Sequence, residues 1–177
     1  YFRRENQVPG TFSNLTEMVY IDCEHHAPDS DYLLGVLAHE FTHMVSYGHD
    51  QSEEGWLDEI FSQGGMVLSG FWSDLPAANA YLSRTGTTPL LVADVRSFSY
   101  GAGFLFASWA LDFLGPAFFG QLVANTADGV ASFDQALAAL KGDDYDTFDC
   151  LADWAVANWL NDPAVADGRY AYATLGD

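Results

Sequence analysis

The chain has 177 residues, enough for one domain, and its 49% hydrophobic content supplies a sizeable core, which excludes disorder throughout. Its 25 Asp and Glu against 6 Lys and Arg leave a formal charge of -19. That field repels phosphate backbones and anionic bilayers, so nucleic acid and membrane surfaces are not expected partners, while cationic ligands are favoured.

Residues 1–30 are polar and turn-rich, with one strand-like run over Met18–Asp22 that predicts a short N-terminal β element. From Tyr32 to Tyr47 apolar residues recur at helical spacing, with Ser30 or Asp31 as N-cap and Gly48 as the stop. A second helix is predicted over Glu53 to Ser69, diluted by Gly64 and Gly65, and a short polar one near Leu75–Ser83. Thr85 to Pro89 reads as a loop, and Leu90–Val95 as a short extended stretch or turn.

The run Phe98–Val123 is charged only at Asp112 and long enough to raise the question of a membrane span. Gly115-Pro116 divides it, however, and stop-and-restart punctuation of that kind predicts two buried helices and no span. Ser132-x-x-Gln135 predicts a capping box opening a helix to about Lys141. A last helix is expected over Asp143 to Leu160, with Phe148, Leu151, Trp154, Ala155 and Trp159 as its apolar stripe. The sum is a mainly α (α+β) single domain over residues 1–177, with a helical C-terminal part. Starting at Tyr1 rather than Met, it is expected to be a processed or excised piece of a longer chain. Cys23 and Cys150 are the only cysteines; one long-range disulfide and two buried thiols are both open. An acidic, lysine-poor composition suits a secreted or salt-adapted protein.

The chemistry concentrates in His39-Glu40-Phe41-Thr42-His43, an H-E-x-x-H pattern inside the first predicted helix. Histidines four apart share one helix face, so both rings reach one ion, and neutral imidazole suits Zn²⁺. Glu40 then stands beside the metal, placed to take a proton from an activated water. The alternative is two surface histidines flanking an ordinary glutamate. Catalytic zinc takes three protein ligands and keeps an open position. His49 is one candidate third ligand, six residues beyond His43, but Ser46 stands where that pattern needs a turn-forming glycine. Glu59 is the other and the favoured one, sixteen residues beyond His43 at the start of the next helix, which a turn-rich connection allows to fold back.

Leu37-Ala38-His39-Glu40-Phe41-Thr42-His43-Met44 followed by Trp56-Leu57-Asp58-Glu59 resembles the gluzincin metallopeptidases, most of all secreted bacterial enzymes of the hyicolysin type. The specific match spans about residues 17–70, with Tyr100-Gly101-Ala102 as a looser one. The resemblance implies a zincin-like fold and a zinc endopeptidase with His39, His43 and Glu59 as ligands and Glu40 as general base. Asp58 departs from the asparagine usual before the ligand. Gln63 stands where thermolysin-like relatives often have a carboxylate supporting a histidine. The oxyanion requires a donor besides the metal; Tyr100 is the first candidate and His49 the second. The resemblance also implies that Met18–Asp22 pairs with extended substrate, and a plain sheet edge is the alternative reading.

Glu24-His25-His26 reads as a loop rather than a second metal site, because adjacent histidines diverge. Asp143, Asp144, Asp146 and Asp149 give calcium only weak support, lacking EF-hand spacing, and helix-start acids explain them. The expected function is zinc-dependent peptide-bond hydrolysis of a peptide or protein substrate in a secreted, bacterial setting. Its alternatives are a non-catalytic zinc-binding module and a zinc hydrolase acting on a non-peptide bond.

Overall fold

Ten successive residues, Gly101–Ala110, are buried on every side of one helix, which places it at the centre of the molecule. The computed structural model describes residues 19–22, 24–72 and 74–175. Seven α-helices lie within them: α1 (Asp31–His49), α2 (Gly55–Ser69), α3 (Leu75–Leu82), α4 (Tyr100–Phe113), α5 (Pro116–Ala124), α6 (Gly129–Lys141) and α7 (Thr147–Leu160). Short 3-10 turns at Thr85–Thr87 and Val95–Ser97 fill the stretch read as loop and turn. α1 packs on α2, α2 and α3 pack on the central α4, and α5 pairs with α6.

The mainly helical expectation holds, and the β element does not. Val19–Asp22 carries no strand, and no strand occurs among the described residues; Met18 lies outside them. Ser30 caps α1 as predicted, its hydroxyl accepting from the Leu33 N–H at 3.3 Å. Gly48 does not end the helix. α1 continues to His49, and the Asp50 N–H donates to the Ser46 carbonyl instead.

α6 begins four residues earlier than the Ser132 box predicts, and Ser132 is buried inside it. Its first N–H, from Gly129, donates to Glu53 Oε1 at 2.7 Å, so a tertiary partner replaces a local cap. The Asp143–Asp149 acids resolve likewise: Asp146 and Asp149 form the capping box of α7. The apolar stripe of α7 is rotated from the predicted one. Thr147 donates both its N–H and its hydroxyl to Asp134 Oδ1, turning Thr147, Cys150, Trp154 and Ala157 inward. Phe148 and Trp159 are 66% and 86% exposed. Cys150 is a buried free thiol, and Cys23 lies outside the described residues.

No single helix among the described residues is long and apolar enough to cross a membrane. α4 and α5 pass that test only as a pair, and they meet at 109° where Gly115 adopts φ 79°. Trp109 Nε1 donates to the Arg169 carbonyl at 2.6 Å and Trp154 Nε1 to the Tyr172 hydroxyl at 3.0 Å, tying the last described residues across the core.

Candidate metal centre

α1 and α2 form an antiparallel hairpin whose register decides what the histidines meet. The connection is pinned at both ends. Asp50 Oδ1 accepts from the Ser52 N–H and hydroxyl, and Trp56 Nε1 donates to Glu54 Oε2 at 2.7 Å. Two glycines that look like diluents in the sequence set the spacing. A Cβ on Gly65 would stand 1.9 Å from Thr42 Oγ1, and one on Gly64 would stand 2.4 Å from the Phe119 ring. α2 is therefore pressed between α1 and α5, and only glycine permits it.

With that register fixed, the first turn of α2 faces the histidine pair. His39 Nε2 and His43 Nε2 lie 3.1 Å apart, and Glu59 Oε2 is 3.3 Å from the former and 3.7 Å from the latter. Ligands at tetrahedral zinc distances of about 2.0–2.1 Å stand about 3.3–3.4 Å from one another, so the triangle has the size one ion requires. His43 Nδ1 lies 2.9 Å from Asp58 Oδ2, and donation to that carboxylate selects, in the neutral ring, the tautomer whose Nε2 carries the lone pair. His39 Nδ1 and Glu59 Oε2 are buried without hydrogen-bond partners. Two ring nitrogens and a carboxylate oxygen thus converge on one point, and a cation there would satisfy them together. His39, His43 and Glu59 can hold a metal ion, and they are the only such group among the described residues.

Burial works against a charge on His43. The Asp58 hydrogen bond, with the charges of Asp58, Glu59 and Glu40, outweighs it and raises the pKa above the ordinary value. Asp58 is the site residue that the sequence alone did not reveal. It fixes the His43 tautomer from the position immediately before the ligand, whereas Gln63, buried in α2, turns its amide to Asp74 Oδ2 at 2.7 Å.

Beside the triad lies an open cavity of about 190 Å³ lined by Val36, His39, Glu40, Met66, Asp74 and Tyr100. Tyr100, the first residue of α4, has its ring centroid 6.0 Å from that of His39. Desolvation, then the charges of Glu59, Glu40 and Asp74, push its hydroxyl up to about 12, so it is a neutral donor at ordinary pH. His49 is exposed in the last turn of α1, outside both the ligand group and the cavity lining. His25 Nδ1 donates to Asp22 at 2.8 Å and His26 stacks on Tyr32, so that loop gathers no second ligand set. No protein-family model, no curated protein and no solved structure matches the chain.

Proposed function

We propose that the chain is a zinc-dependent metallopeptidase of the gluzincin type, a secreted endopeptidase acting on peptide or protein substrates. The observation that carries this reading is the convergence of His39, His43 and Glu59 beside a cavity that also holds Glu40 and Tyr100. No fourth protein ligand joins the three among the described residues, as suits a site that keeps a position for substrate rather than a closed structural one.

Bound there, zinc would act as a Lewis acid on the scissile carbonyl and acidify the attacking water. Glu40 follows a ligand histidine on the same helix and borders the cavity, so its carboxylate accepts the water proton and passes it to the leaving amine. Tyr100, kept protonated, donates to the carbonyl oxygen as negative charge grows there. Asp58 holds His43 in the tautomer whose Nε2 faces the metal. The acidic, lysine-poor composition supports the secreted setting.

The test is Glu40→Gln assayed on an unfolded protein substrate after zinc loading. The variant should keep its zinc and lose cleavage by about 100-fold or more, the range for removing a general base. Undiminished cleavage would remove Glu40 from the reaction. Zinc retention with no cleavage by the wild type would leave a binding module.

A further inference from the structure

Asp74 occupies the N-cap position of α3, where an aspartate ordinarily bonds the first free N–H groups of its helix, yet its side chain makes no capping bond. Its carboxylate instead accepts from Gln63 Nε2 at 2.7 Å and lines the cavity beside His39, Glu40 and Tyr100. Gln63 is fully buried, so it acts as a fixed post that aims Asp74. α3 is held from the other side as well. The missing side chain of Gly101 lets its first turn close on α4, where a Cβ would stand 2.1 Å from the Ala77 carbonyl oxygen.

The surrounding chemistry describes what Asp74 is aimed at. Asp74 and Glu40 each bring a carboxylate to the cavity wall, so its polar side is acidic. No cation among the described residues forms an ion pair with Asp74. The remaining wall is apolar, from Val36 and Met66. An aliphatic stem with a cationic head matches that combination, and lysine and arginine have it.

We propose that Asp74 is a specificity-determining residue that selects peptides with Lys or Arg beside the scissile bond. The inference rests on the peptidase reading above. The molecule's charge of -19 also draws basic peptides toward it.

The test uses the zinc-loaded chain and two internally quenched peptides identical except for Lys or norleucine at the position beside the cut. A charge-assisted hydrogen bond predicts about a 10-fold to 100-fold higher kcat/KM for the lysine peptide. Asp74→Asn, which keeps an oxygen for Gln63, should bring the two within about threefold while norleucine cleavage and zinc content persist. Asp74→Lys should shift preference toward a glutamate peptide, and the wild-type preference should shrink as salt rises, a readout needing no variant. Equal cleavage of both peptides by the wild type, or a lysine preference that survives Asp74→Asn, overturns the assignment to Asp74 alone. Cleavage of neither peptide by the wild type removes the peptidase reading and this inference with it.

Discussion

Replacing Asp58 with alanine takes away the carboxylate that accepts from His43 Nδ1 at 2.9 Å. The side chains of His43 and Asp58 are only 11% and 16% exposed, so water neither screens the bond much nor replaces the lost partner fully. Supporting carboxylates of this kind change metal affinity about 10-fold to 100-fold, equivalent to about 1.4–2.7 kcal/mol. The burial here places Asp58→Ala in the upper half of that range. Asp58→Asn keeps an acceptor but not the charge and should lose about tenfold or less. Competition between each apo protein and a fluorescent zinc chelator at pH 8, with circular dichroism to verify folding, gives the comparison. A folded Asp58→Ala protein that binds zinc within twofold of wild type would refute the argument that Asp58 orients the ligand.

Gly101→Ala sets a new methyl against the Ala77 backbone, so α3 must move. Overpacking of about 1–3 kcal/mol, less about 1 kcal/mol gained from alanine's helix propensity, should lower the Tm by a few degrees in a scanning calorimeter; a higher Tm contradicts the close approach. Cys150, whose thiol burial pushes up to about 12, should resist iodoacetamide at pH 8 in the folded protein and react in denaturant, as read by peptide mass mapping. Because the folded state holds that proton more tightly than an ordinary thiol of about 9, its stabilising contribution is complete below about pH 9 and fades as pH rises toward 12.

The helices were legible wherever local chemistry decides them. Ser30 caps α1, α2 ends at Ser69, and Gly115-Pro116 separates α4 from α5. Those signals act over four residues, and the spacing of His39 and His43 is of the same kind. Gly48 misled by one residue, since α1 runs on to His49, and the larger failures depend on partners distant in the chain. The start of α6 answers to Glu53, and the rotation of α7 to Asp134. The strand-like pattern of Val19–Asp22 has no neighbouring strand among the described residues to pair with. Gly64 and Gly65 looked like weak points of a helix and are the contacts that set the hairpin spacing. Glu59 was readable because its place on the returning helix follows from loop length. Asp58 and Asp74 were not, since each acquires its role from a hydrogen bond across the fold, to His43 and to Gln63.

The site therefore draws on three levels of order. Helical periodicity pairs the histidines, hairpin register brings Glu59 to them, and the packing of α3 and α4 adds Asp74 and Tyr100 to the cavity beside them. Every step of the proposed chemistry depends on the first two.

X-ray absorption at the zinc edge, combined with metal analysis, tests that dependence most directly. Zinc-loaded wild type should contain about one zinc per chain with two imidazole nitrogens and carboxylate oxygen at about 2.0–2.2 Å, and His49→Ala should give the same spectrum and stoichiometry. Glu59→Ala should lose the metal on dialysis. Zinc retained in full by Glu59→Ala, lost in His49→Ala, or held through sulfur would contradict the centre described by His39, His43 and Glu59.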